Sequence, residues 1–238
     1  MKLFRLLFKP DLAAPMLALM FASVVCVALV FLRIVLTGGR GYGFLAWNLF
    51  LAWLPLILAL QICEQHAQGG RRRWRLAVWG AAWLLSFPNA PYIFTDLIHL
   101  KTKFHGHFWV DMLLILSCAL TGLMLGFVSL YLVQSVVVDR LGRVVGWLFI
   151  TGVAGLSGVG VFLGRFLRLN SWDVLWRPAT LFQHADNWMS DPFGDARPYV
   201  FSGLFAIFVF IAYLMFYTLT KLPSAERISK GHHINEPF

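Results

Sequence analysis

Six stretches of the chain run for about 20 residues or more without Asp, Glu, Lys or Arg, the length a helix needs to cross a hydrocarbon core. They predict membrane spans at 12–32, 43–63, 76–95, 112–138, 144–164 and 198–220. Transmembrane β-strands would be shorter and would alternate in polarity; none of these runs does. The expected fold is all-α: one polytopic transmembrane domain over residues 1–238, with 221–238 as a polar cytoplasmic tail. Pro88 and Pro91 fall inside the third run. Each removes a backbone donor, so the third span is expected to be broken. Asn89 is well suited to bond a carbonyl that the break frees. Residues 172–188 mix Trp, Leu and Phe with scattered charge, and read as an interfacial or re-entrant helix between spans five and six.

Composition points the same way. The chain is 59% hydrophobic and 13% charged, against roughly 25% charged in soluble domains. Its mean hydropathy is +0.72. One soluble core of this size cannot hide that much apolar surface, so the lipid bilayer is the expected partner of most of it. The net charge of +9 does not indicate nucleic acid, because basic loops flank membrane spans and meet anionic headgroups. Of the Lys and Arg residues, twelve fall on the side of both termini and eight on the other. The short Arg71, Arg72, Arg73, Arg75 cluster is on the first side. Both termini are therefore expected in the cytoplasm of a bacterial inner-membrane protein. Lys2, Arg5 and Lys9 precede the first run as in a signal peptide, but that run is longer than an ordinary signal core. It reads as a retained span. Cys26, Cys63 and Cys118 lie in apolar stretches and suggest packing rather than disulfides. Gly122 and Gly126 in the fourth span, and Gly160 and Gly164 in the fifth, have small-xxx-small spacing. That spacing lets backbones approach closely, and it suggests a central, tightly packed helix more than a dimer interface.

Ions near lipid are costly, so the few beside the spans are candidates for chemistry. Tyr92, Asp96 and His99 follow the proline break at i, i+4 and i+7, which places a phenol, a carboxylate and an imidazole on one helical face. Such a set can transfer protons, bind metal or grip a polar ligand. Asp111 opens the fourth span on the same side and joins these as a candidate catalytic group. Arg165 and Arg168 at the end of the fifth span suit a carboxylate or phosphate. Asn170 or Ser171 can cap a following helix with Asp173 in its first turn. Asn89, Arg165, Arg168, Asn170 and Asp173 are therefore the candidate ligand-binding residues. His99, His105 and His107 are weaker metal candidates, since loop histidines are common at surfaces. Against a functional reading stands a simpler one: Asp96 forms an ion pair with Arg165 or Arg168 that locks helices together.

The stretches FPNAPYIFTDLIHL (87–100) and GRFLRLNSWD (164–173), with WVDMLLI (109–115) between them, resemble a bacterial membrane-protein family known as domain of unknown function 1361. The resemblance extends from the second span to the last. It implies a multi-span inner-membrane protein and carries no activity, cofactor or catalytic residue with it. Three functions stay open: a membrane enzyme acting on an anionic or lipid-headgroup ligand, a transporter or transport subunit, and a structural or assembly factor. No HExxH or GxSxG motif supports the first, and the cofactor, like the substrate, stays unknown.

Overall fold

Inside lipid only helices and closed barrels satisfy every backbone group. The computed structural model describes residues 10–37, 41–69, 73–101, 108–166 and 196–222, and among them every regular element is helical. These elements are α1 (Pro10–Thr37), α2 (Gly43–Ala67), α3 (Arg73–Ser86), α4 (Asn89–Tyr92), a 3₁₀ helix (Ile93–Lys101), α5 (Phe108–Leu141), α6 (Arg143–Phe166) and α7 (Arg197–Leu219). Five of them, α1, α2, α5, α6 and α7, are long and apolar enough to cross a membrane. The third predicted span is different. With 14 residues, α3 is about 21 Å long at about 1.5 Å per residue, short of a core of about 30 Å. The chain then bends at Phe87 and Pro88 and continues through α4 into the 3₁₀ helix. Asn89 Nδ2 donates to the Ser86 carbonyl oxygen at 3.0 Å, which satisfies one acceptor at the bend. The helix expected over 172–188 and the tail beyond 222 lie outside the described residues.

The centre belongs to α5. In its most apolar stretch 67% of residues are buried, against 22% for α1 and 17% for α7. Its 34 residues make it ~50 Å long. It therefore outreaches a hydrocarbon core at its ends, where it carries Asp111 and Asp139. The chain reverses directly into α6 at Gly142, whose φ of +89° is left-handed backbone that glycine adopts without strain.

Glycines on α5 and α6 seat the bent segment. A Cβ on Gly122 would come 2.7 Å from Ile93 Cδ1 and 3.0 Å from the Ala90 carbonyl oxygen. One on Gly126 would meet Ala90 Cβ at 2.8 Å, and one on Gly160 would meet Pro88 Cγ at 2.9 Å. The Gly122 and Gly126 spacing thus receives the broken third span. On α6 the close approaches are at Gly146, against the Val138 side chain of α5, at Gly158, against the Ser202 carbonyl of α7, and at Gly160, whereas Gly152 and Gly155 face open space. The tightly packed central helix is therefore α5 rather than the glycine-richer α6.

Candidate functional site

Asp96 lies in the first turns of the 3₁₀ helix, and its side chain is 1% exposed. Burial of a carboxylate demands partners, and they come from two other elements. Asn48 on α2 donates from Nδ2 to Oδ2 at 2.8 Å. Arg165 in the last turn of α6 donates from Nη1 to Oδ1 at 2.9 Å. The other guanidinium nitrogen, Nη2, lies 3.2 Å from Nε2 of His99. His99 Nε2 is also 3.8 Å from Asp96 Oδ1, and the imidazole is 37% exposed. Arg165 further covers the Tyr92 ring, with Cζ 5.9 Å from its centroid. Three sequence candidates, Tyr92, Asp96 and His99, therefore converge on a fourth, Arg165.

A guanidinium nitrogen can only donate. The Arg165–His99 contact therefore requires Nε2 to accept, which places the imidazole proton on Nδ1. Arg165 bridges Asp96 and His99 with its two terminal nitrogens. Among the described residues no three His, Cys, Asp or Glu side chains come together as a metal site.

Asp111 reaches the same end of the bundle but belongs to a second cluster. Arg33, near the end of α1, bonds it through Nε to Oδ1 and through Nη2 to Oδ2 at 3.1 Å. Tyr42, just before α2, donates its hydroxyl to Oδ2 at 2.7 Å. Burial, and then that hydrogen bond, push the Tyr42 phenol up to about 12, so it stays a donor at neutral pH. Asp111 does not join the Tyr92–Asp96–His99 stripe because a fork-shaped guanidinium from α1 already occupies both its oxygens. The clusters touch through aromatic rings. Tyr42 and Phe44 are 6.3 Å apart between centroids, and Phe44 and His99 are 4.9 Å apart.

Asn89 turns to the Ser86 backbone and takes no part in either cluster. Arg168, Asn170, Asp173, His105 and His107 lie outside the described residues. At the opposite end of α5, His66 Nε2 is 2.7 Å from Asp139 Oδ2, and Arg140 Nε donates to His66 Nδ1 at 2.9 Å.

Arg33, Tyr42 and Asn48 were not selected as candidates from the sequence. Each carried a signal. Arg33 follows the first charge-free run, Asn48 is the one amide in the first half of the second, and Tyr42 immediately precedes that run among the glycines of 38–43. Asking which polar groups fall at the depth of Asp96 and Asp111 would have found all three.

Apolar helices of membrane length around a buried, charge-paired polar end define a polytopic α-helical membrane protein. The chain belongs to the family of proteins of unknown function DUF1361, which it matches over residues 47–217. That stretch contains Asn48, Asp96, His99 and Arg165, but neither Arg33 nor Tyr42. No curated protein and no solved structure matches the chain.

Proposed function

We propose that the protein is a bacterial inner-membrane protein that binds an anionic group, a phosphate or lipid headgroup, at the His99–Arg165 edge of its polar end. The Lys and Arg asymmetry supports a periplasmic position for that end and cytoplasmic positions for both termini. One observation carries the reading: Arg165 gives only one of its nitrogens to Asp96. The other Asp96 oxygen is held by Asn48, and the second Arg165 nitrogen faces a part-exposed imidazole. Asp96 thus acts as an anchor that aims the guanidinium. An entering oxyanion can replace the imidazole contact without breaking the buried pair. Asp111 is the contrasting case, with both oxygens taken by its own arginine and a tyrosine on one of them.

The test is thermal stabilisation of the purified protein in neutral detergent by added phosphatidylglycerol. The wild-type protein should gain stability with lipid concentration, because a ligand that binds only the folded state stabilises it. Arg165→Gln should lose that gain, His99→Gln should keep only part of it, and His66→Gln at the far end should keep it whole. Equal loss in His66→Gln and His99→Gln would remove the site from consideration.

A second reading has its own support. Among the described residues no buried side-chain nitrogen or oxygen lacks a partner, so the clusters can serve purely as locks between helices. A lock predicts that Asp96→Asn loses folded yield while His99→Gln changes neither yield nor lipid binding.

A further inference from the structure

The contact between Arg165 and His99 sets a condition on the charge of whatever binds there. This step rests on the anion-binding reading of the same site. In the ligand-free arrangement, Asp96 and Arg165 cancel and His99 must be neutral, because its Nε2 accepts from Arg165 Nη2 at 3.2 Å. Among the described residues, a monoanion added to this set would leave one uncompensated negative charge beside a carboxylate that is 1% exposed. Uncompensated charge in a poorly solvated site is costly. A proton taken up with the anion restores balance, and one group is placed to receive it.

We propose that His99 couples binding of a phosphodiester-type monoanion at Arg165 to the uptake of one proton. The oxyanion replaces imidazole as the acceptor of the Arg165 Nη2 hydrogen. The solvent proton binds His99 Nε2, which changes from acceptor to donor and bonds the same oxyanion. Asp96 Oδ1, 3.8 Å from Nε2, stabilises the imidazolium from beneath. Among the described residues the groups facing His99 fit this exchange. From its own helix comes Asp96; from α6, the cation Arg165; from α2, the uncharged ring of Phe44 at 4.9 Å. Tyr92 reaches it only through Arg165. The imidazole is 37% exposed, which gives the proton a way in.

The sign follows from linkage. Ligand favours the protonated form of His99, so affinity is greatest at low pH. It weakens as pH rises and the ligand-free imidazole ceases to hold a proton. One coupled proton gives a loss of about tenfold per pH unit in that window. Two probes separate the possible sources: phosphatidylglycerol, and glycerophosphoglycerol, its soluble headgroup without acyl chains. Neither phosphodiester titrates from about pH 5 to about pH 8, so any slope belongs to the protein.

Calorimetric titration of the full chain in neutral detergent, near pH 7.5 and in two buffers of different ionisation enthalpy, counts the protons directly. Wild type should take up close to one per bound phosphodiester. His99→Gln should take up none and show pH-independent affinity, which also excludes His66 as the acceptor. Binding of the lipid alone, with that proton count, supports the proposal and assigns the source to the bilayer; binding of both probes supports it with a soluble ligand. Wild-type binding without proton uptake overturns the coupling and leaves anion binding standing. Absence of binding by either probe at any pH down to about 5.5 overturns both.

Discussion

Removing either member of the Asp96–Arg165 pair should destabilise the protein, and the two losses should differ in a stated direction. Arg165→Gln leaves a carboxylate that is 1% exposed with Asn48 as its hydrogen-bond donor. Stranding one charge of a buried pair costs about 3–5 kcal/mol. Asp96→Asn strands a guanidinium that is 14% exposed and stands in the last turn of α6. The negative end of the helix dipole favours a cation there, and a long stem can carry the charge toward water. The expected cost is closer to that of one charged hydrogen bond, about 1.5–3 kcal/mol. The double variant leaves two amides that can bond each other and no buried charge, so it should be no worse than Arg165→Gln alone. The resulting coupling should be about 2 kcal/mol, within the range found for residues in one ion-pair network. Reversible unfolding in mixed micelles, followed by tryptophan fluorescence, measures all four corners of this cycle. Additivity within about 0.5 kcal/mol, or a larger loss for Asp96→Asn than for Arg165→Gln, would refute the argument.

Other expectations follow from neighbouring contacts. Gly122→Ala and Gly126→Ala push into Ala90 and Ile93 and should each cost about 1–3 kcal/mol, whereas Gly152→Ala meets nothing within 4 Å and should be neutral or slightly stabilising in the same melts. Tyr42→Phe removes a hydrogen bond to a carboxylate and should cost about 1.5–3 kcal/mol below the ordinary tyrosine range. Because the folded phenol is pushed up to about 12, wild type should hold this advantage below about 10, the unfolded value, and lose it as pH rises through the folded value; melting against pH for both proteins checks the window. Asn89→Ala frees the Ser86 carbonyl and should cost about 1 kcal/mol without changing phosphatidylglycerol binding, which a lipid titration reads out.

The helical membrane class was legible because an apolar run of bilayer length has few other uses, and α1, α2, α5, α6 and α7 each contain one. The proline pair announced the break in the third span, and Asn89 capped the bend as its chemistry suggested. What the pattern could not show was how that break would continue. Residues at i, i+4 and i+7 imply an α-helix, yet from Ile93 onward the backbone is 3₁₀. Partner choice was less legible still. The polar set Tyr92, Asp96, His99 and Arg165 was named from its position beside the spans, but Asn48, which donates to one oxygen of Asp96, sits inside an apolar run where nothing in the pattern singles it out. Arg33 was counted only as a loop charge, although α1 extends to Thr37 and keeps it within the helix. Apolar periodicity locates helices; it does not say which rotations bring their isolated polar residues face to face.

The change of helix type explains why one arginine can serve both Asp96 and His99. In an α-helix residues three apart are offset by about 60° around the axis and roughly 4.5 Å along it. In a 3₁₀ helix they eclipse, one above the other, about 6 Å apart along the axis. Asp96 and His99 therefore stand in one column, the carboxylate buried and the imidazole at 37% exposure. Arg165 lies along that column with Nη1 on the lower group and Nη2 on the upper. An α-helical continuation would turn His99 aside and draw it inward by roughly 1.5 Å, separating it from the guanidinium or burying it. The glycine notches that seat Ala90 and Ile93 hold the segment at the start of this 3₁₀ turn. Packing more than ten residues from His99 in sequence thus fixes which side of the guanidinium meets water.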